Sequence, residues 1–369
     1  MADSYDVAII GAGMAGASLA AEIGPGRRIV MLEAEDQPGY HATGRSAAFW
    51  EECYGGPDIV PLTSASGKWL RDNGFLSERG ALYLAREEDE PRIADFFHRF
   101  AGSGASPVRI DRPRLETFVP GLLPQWDRAI HQPRCADIDV AALHQHYLAS
   151  ARANGVTLAC RARLSAAQRE DDGWHLQLEN GESVRAGVLV NAAGAWADHV
   201  AQMAGAHPLG ITPLRRTVAQ LRTDPAPPAD LPLCLDISGQ FYFRPENGRL
   251  WLSPHDEIAS APCDAAPEEF DIALAIDRLQ HVLDWRIIAV EHKWAGLRSF
   301  APDRCPVYGF DPDVADFFWF AGQGGYGIQT APAAARLGSQ LLCDRPPDAM
   351  TAALDVKLYD PGRFVALTV

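Results

Sequence analysis

The chain has 369 residues, a net charge of −15, 47% hydrophobic residues and 22% charged residues. That length allows a large core and two domains, and the acidic balance argues against a nucleic-acid partner, whose phosphates most of such a surface would repel. No apolar run reaches the ~18 residues of a transmembrane helix, and the seven cysteines lack C-x-x-C spacing, which argues against a disulfide framework and a zinc site.

The N-terminus enters its first strand almost at once. It lacks a signal-peptide layout, so a cytoplasmic location is the default expectation. Residues 5–10 form an apolar strand, residues 11–16 read Gly-Ala-Gly-Met-Ala-Gly, an apolar helix pattern follows, and a second strand ends at Glu33. This is the G-x-G-x-x-G fingerprint of a dinucleotide site in its full strand–turn–helix–strand context. Gly11 permits the tight turn and Gly13 lets the backbone approach a pyrophosphate. Gly16 lets the helix, which starts around Met14 and Ala15, pack on the strand. Glu33, followed by Ala34, is placed to accept from a ribose hydroxyl.

A loop of small residues spans 37–48, and helical patterning follows over 58–73. Residues 79–85 and 108–112 lack the Rossmann pattern and are expected to leave the nucleotide domain. Residues 137–154 open with an acid cap and become helical. His144 and His146 on that helix are two residues apart and face different sides, so they make no metal site. A strand is expected over 155–164, then a hairpin of 174–178 and 183–185, then a buried strand from Val188 into the turn Asn191-Ala-Ala-Gly-Ala-Trp. Residues 211–295 read as a second, mostly antiparallel lobe with a strand at 240–244 and a helix over 267–283. The aromatic strand 317–321 returns to the first lobe, and Gly322-Gln-Gly-Gly-Tyr-Gly-Ile-Gln-Thr precedes an Ala-rich helix ending near Leu342.

Three glycine-marked turns after apolar strands point to one extended ligand. A helix N-terminus at the third turn places partial positive charge where reduced flavin accumulates negative charge, which a nicotinamide enzyme does not need. The segments Gly39-Tyr-His-Ala-Thr-Gly-Arg-Ser-Ala-Ala, Val188–Trp196, Trp294-Ala-Gly-Leu-Arg-Ser-Phe and Gln323–Thr330 lie in order along nearly the whole chain. Together they resemble the glutathione-reductase-type flavoproteins of the D-amino acid oxidase class. Within that class the chain is most similar to the bacterial FAD-dependent D-arginine dehydrogenase group.

The resemblance implies an α/β fold: a Rossmann FAD-binding domain from residues 1–76, 138–210 and 299–369, and an antiparallel β substrate domain from 77–137 and 211–298. It implies non-covalent FAD, with Cys305 a core residue rather than a tether. FAD contacts fall to Thr43, Gly44, Arg45, Ser46, Ala47 and Ala48, to Arg163 or Leu164 through its backbone, to Ala193, Gly194 and Trp196, and to Gly325, Tyr326, Gly327, Ile328, Gln329 and Thr330. Arg298 takes the position of the substrate-carboxylate clamp, beside the flavin, with Arg216 as its companion. Arg215 points to the other face if the segment is a strand. Tyr54 and Tyr242 face the substrate.

Phe49 stands where that group has a pocket histidine, Glu51 where it has a threonine, and Ala81 where it has the acid that pairs a substrate guanidinium. Glu51 either supplies an acid from another wall or is solvated. A loop glutamate is usually solvated, which favours a broad or apolar specificity. The activity implied is hydride transfer from the Cα–NH2 of a D-amino acid to flavin N5, giving a 2-oxo acid and ammonia after hydrolysis. Oxygen or a quinone serves as the electron acceptor, and no dedicated base is visible. A secondary-amine oxidase of the sarcosine or glycine type and a 2-hydroxy acid dehydrogenase remain alternatives, the absence of a well-placed histidine counting mildly against the latter.

Overall fold

The computed structural model describes residues 3–367. The chain begins β1 (Asp3–Ile10), α1 (Met14–Ile23), β2 (Ile29–Leu32), and continues through α2 (Val60–Asp72), β3 (Ala81–Ala85), α3 (Val140–Ala153) and β4 (Ser183–Asn191). It then runs through β5 (Thr212–Asp224), β6 (Leu233–Asp236), β7 (Tyr242–Glu246), β8 (Arg249–Ser253), α4 (Glu269–Gln280), β9 (Arg286–Phe300), β10 (Phe317–Ala321) and α5 (Ala331–Cys343).

Two large sheets organise the fold. In the first, β1 lies between β2 and β4, parallel to both, and β10 runs parallel to the end of β4. Successive residues of β1 are buried on opposite faces. Val7 and Ile9 pack with α1, α3 and α5, while Ala8 and Ile10 pack with Trp174 and Leu176 of an antiparallel hairpin. Burial on both faces is why β1 and β10 read as unbroken apolar runs rather than alternating ones. Gly16 has no room for a side chain: a Cβ there would stand 1.9 Å from the Gly11 carbonyl oxygen. That contact brings α1 down onto β1 and aims its N-terminus across the end of the sheet.

The second sheet has ten strands and is mainly antiparallel, with β9–β5–β8–β7–β6–β3 at its centre. Its apolar face, including Phe241, Phe243, Leu250 and Leu252, packs on α4. A small sheet of residues 49–50, 76–78 and 136–138 ties the two together. The fold is therefore α/β with one parallel-cored and one antiparallel sheet, as expected.

Most expected elements form close to their expected bounds. Asp139 caps α3 by accepting from the Ala142 N–H at 2.9 Å. Two local expectations need correction. The strand expected over 155–164 is only Thr157–Ala159 there, and pairing resumes at Leu164–Glu170 with Arg161 between them in a left-handed turn (φ 54°). Residues 183–191 form one strand rather than two, its first half pairing antiparallel to the hairpin and its whole length parallel to β1. Among the described residues no helix is long and apolar enough to cross a membrane.

Candidate active site

One continuous cleft runs from the end of β2, past the α1 N-terminus, to the face of the second sheet. At its inner end, Gly13 caps α1 with extended backbone and no side-chain hydrogen bond of its own, so of the first helical N–H groups only that of Met14 meets a side chain, Thr43. Gly11 adopts φ 96°, and a Cβ there would come within 2.7 Å of the Ala192 carbonyl oxygen. The residue type is set by that crowding, not by sequence habit. Thr43 Oγ1 accepts from the Met14 N–H at 2.9 Å, locking the 39–48 loop over the helix start. His144 braces the same turn with Nε2 2.9 Å from the Ala12 carbonyl oxygen, and burial holds its pKa below the usual range.

Glu33 lies at the end of β2. Its carboxylate accepts from the Ala12 N–H (2.9 Å) and the Glu35 N–H (3.0 Å), which fixes it at the cleft edge with lone pairs to spare. Ala34, Ala15, Arg163, Ala193, Gly194 and Trp196 line the same stretch. The Arg163 guanidinium is drawn off to Glu35 at 3.1 Å, and its carbonyl oxygen accepts from the Glu179 N–H at 2.9 Å. Arg45 also lines the cleft, with Ser46, Ala47 and Ala48. Its guanidinium turns to the second sheet, donating to the carbonyls of Ala265 (2.9 Å) and Ala295 (3.2 Å) and pairing with Asp264. A glycine-rich helix start whose own cap residue has no side chain, with an acid at the end of the next strand, fits the pyrophosphate and ribose of FAD.

At the outer end β5 and β9 bring two arginines together. Arg298 Nη1 donates to the Tyr54 hydroxyl at 3.1 Å and Nη2 to Glu257 at 2.9 Å. Arg216 Nε donates to the main-chain oxygen of Asp256 at 2.8 Å. Arg215, the next residue on β5, points away to Asp271 (2.8 Å) and Glu268, as strand alternation requires. Arg216 Nη2 and Arg298 Nε are buried without a hydrogen-bond partner. Burial and the nearby Arg298 lower the pKa of Arg216. Burial also opposes charge on Arg298, but Tyr54 and Glu257 outweigh it and raise its pKa. Asp256 and Glu257 lie 3.7 Å and 3.6 Å from Arg216, and the two buried cations still keep donors that an anion could satisfy. Phe49, Tyr54 and Tyr242 form an aromatic wall beside it, with ring centroids 5.3 Å and 6.5 Å from Phe49. Gly325, Gly327, Ile328 and Gln329 close the far side.

Five of the expected residues do not line the cleft. Gly16 and Gly44 are packed under neighbouring backbone, and Thr330 hydrogen-bonds the Tyr326 carbonyl at the start of α5. Tyr326 turns its hydroxyl to the Arg304 carbonyl. Glu51 is not solvated, which corrects the expectation for a loop glutamate. It is fully buried behind the wall, accepting from the Cys53 N–H (2.9 Å) and the Tyr83 hydroxyl (2.8 Å), while its own N–H donates to Gln329 Oε1 (3.1 Å). Burial pushes its pKa up to about 7, against the two hydrogen bonds. Ala81 is fully buried on β3 and packs with Tyr242 and Phe49, so the aromatic wall has no acid behind it at that point.

The absence of a well-placed histidine is also corrected: His255, after β8, lines the cleft next to the arginine pair. Neither it nor Glu257 carries a motif or periodicity in the sequence. Only the pairing of β7 with β8, which sets His255 edge-on to Tyr242, brings it to the site.

The family described as DAO, FAD dependent oxidoreductase, matches residues 6–341. Mitochondrial dimethylglycine dehydrogenase of Mus musculus is 25% identical over 98% of this chain and 44% of its own length. Glycine oxidase of Pseudomonas aeruginosa is 25% identical over 93% of this chain and 96% of its own. The chain thus spans less than half of the mouse relative, and 36% of the Xenopus laevis FAD-dependent oxidoreductase domain-containing protein 1 that it matches in part. In fold it is similar to L-proline dehydrogenase from P. horikoshii (TM-score 0.85, 20% identity, 99% of both chains) and glycine oxidase from Geobacillus kaustophilus (TM-score 0.82, 22% identity, 98% of this chain and 99% of that one). With the glycine-lined cleft and this match over most of its length, the chain belongs to the DAO family of FAD-dependent oxidoreductases.

Proposed function

We propose that this protein oxidises the C–N bond of a small amine that carries a carboxylate, with a D-amino acid of apolar side chain as the first candidate. The observation that carries the reading is the buried Arg216–Arg298 pair: both residues line the cleft, and each keeps one guanidinium nitrogen without a hydrogen-bond partner. FAD, when bound, accepts the electron pair and proton lost from the carbon. The chain's own residues do the rest. Arg298 and Arg216 hold the carboxylate, and the Tyr54 and Tyr242 hydroxyls complete its ring of donors. Phe49, Leu235 and Val218 receive the apolar part of the substrate, and Gln329 is fixed by Glu51 and by Thr63 Oγ1 at 2.8 Å. Holding the reacting carbon in one place supplies much of the acceleration.

The cofactor and substrate portions assigned to residues 1–76, 138–210 and 299–369 and to 77–137 and 211–298 are part of this proposal. A guanidinium-bearing substrate is disfavoured, because Glu51 is turned away from the cleft and Ala81 offers no charge. A second reading, oxidation of an N-alkylated glycine, is supported by the dimethylglycine dehydrogenase and glycine oxidase relatives. Anaerobic mixing of the holoprotein with D- and L-amino acids, N-methylated glycines and 2-hydroxy acids tests both. Bleaching by D-amino acids supports the first and by N-methylated glycines the second, while bleaching by 2-hydroxy acids alone refutes C–N oxidation.

A further inference from the structure

The loop after β8 reads His255-Asp256-Glu257, and every residue of it meets the arginine pair or its neighbours. The Asp256 main-chain oxygen accepts from Arg216 and Arg298, and Glu257 Oε1 accepts from both Arg298 and Arg304 at 2.9 Å. These contacts hold both guanidinium groups in place where the two residues line the cleft. His255 adopts φ 57°, a left-handed conformation that a side chain other than glycine rarely takes, and its N–H is held by Ser253 Oγ at 3.1 Å. Its ring stands edge-on to Tyr242 at 5.6 Å. Nδ1 is buried beside the Gly239 backbone and makes no hydrogen bond of normal geometry. Burial, with Arg216 and Arg298 close by, pushes the His255 pKa down to about 2, so the ring is neutral at every working pH.

The hydrogen-bond inventory of this corner is lopsided. Both arginines only donate, the Tyr54 hydroxyl already accepts from Arg298, the Tyr242 hydroxyl is assigned to the carboxylate, and Phe49, Leu235 and Val218 offer nothing. Gln329 Oε1 already accepts from Glu51. A substrate carboxylate satisfies the arginines, but the amine N–H beside it needs an acceptor. A neutral imidazole has one free lone pair. We propose that His255 is a specificity-determining residue: one ring nitrogen accepts a hydrogen bond from the amine N–H of the substrate whose carboxylate the arginine pair holds. This rests on the function proposed above. It makes the site prefer amines that keep an N–H when neutral over tertiary amines, which do not.

The test uses holoprotein of wild type, His255→Gly and His255→Asn. Glycine removes the ring without strain at a left-handed position, and asparagine tolerates that backbone and restores an acceptor. Propanoate binding, read from the change in flavin absorbance, reports the carboxylate site without any reaction. Anaerobic flavin reduction then compares a primary or secondary amine acid with its N,N-dimethyl counterpart. The expected result is unchanged propanoate affinity in all three proteins and a preference for the N–H substrate that falls about fivefold to tenfold in His255→Gly and returns in His255→Asn. An unchanged preference in His255→Gly overturns the assignment of His255 while leaving the carboxylate reading intact. Failure of wild type to bind propanoate overturns the carboxylate reading and this inference with it.

Discussion

Replacing Glu51 with glutamine separates a buried carboxyl group from the loop residue that it resembles in the sequence. The side chain is fully buried, and burial lifts its pKa to about 7 against 4.5 for the free group. The folded protein therefore keeps this proton to higher pH than the unfolded chain does. Stability falls as pH rises from about 4.5 to about 7 and levels off above, by about 3 kcal/mol in all. In Glu51→Gln the amide oxygen still accepts from Cys53 and the amide NH2 can donate to Tyr83, so the shape is kept and the titration removed. With an unfolding entropy of ~2.1 cal/mol/K per residue over 369 residues, 3 kcal/mol is worth about 4 °C in Tm. Thermal unfolding of both proteins at saturating FAD, every half pH unit from 4.5 to 8, reads the difference. Wild type should lose about 4 °C relative to Glu51→Gln across that range. Parallel curves would mean that Glu51 is solvated or paired, and the burial argument would fail.

Other outcomes follow from the same geometry. Gly16→Ala puts a Cβ 1.9 Å from the Gly11 oxygen, so α1 must move off β1 and the purified protein should carry little flavin, read from its visible absorbance. Thr43→Ala removes the acceptor of the Met14 N–H and should weaken FAD by about fivefold in a titration of the apoprotein, about 1 kcal/mol for a lost helix-start contact. Arg298→Ala should leave FAD content unchanged and raise the half-saturating substrate concentration by ~30-fold or more, the usual cost of taking one partner from a buried charge pair. A variant of Arg298 that reduces its flavin at wild-type concentrations and rate would remove that residue from the site.

The nucleotide end of the molecule was legible because its motif is local. Gly11, Gly13 and Gly16 sit at fixed spacing within one strand–turn–helix unit, and that spacing is readable even though only Gly16 is crowded from inside the unit, Gly11 and Gly13 meeting Ala192 and Thr43 instead. Arg216 was separable from Arg215 because strand alternation alone puts them on opposite faces. The substrate end was less legible, since its walls come from strands far apart in the chain. His255 reaches Tyr242 only through the β7–β8 pairing, and Glu257 reaches Arg298 across 41 positions. Glu51 was misread as solvated because a two-residue strand and its own loop say nothing about Tyr83 and Gln329, which close over it. Ala81 shows the converse: a small residue without motif value shapes the wall by what it does not carry.

The most direct test of the account compares an amine acid that bleaches the flavin with its carboxamide, in which the amine and carbon skeleton are kept and the negative charge is lost. Anaerobic stopped-flow reduction of the wild-type holoprotein should proceed with the acid and require at least ~30-fold more of the amide, and Arg298→Ala should abolish that difference. Equal reduction of wild type by acid and amide would show that the buried arginine pair does not hold the substrate.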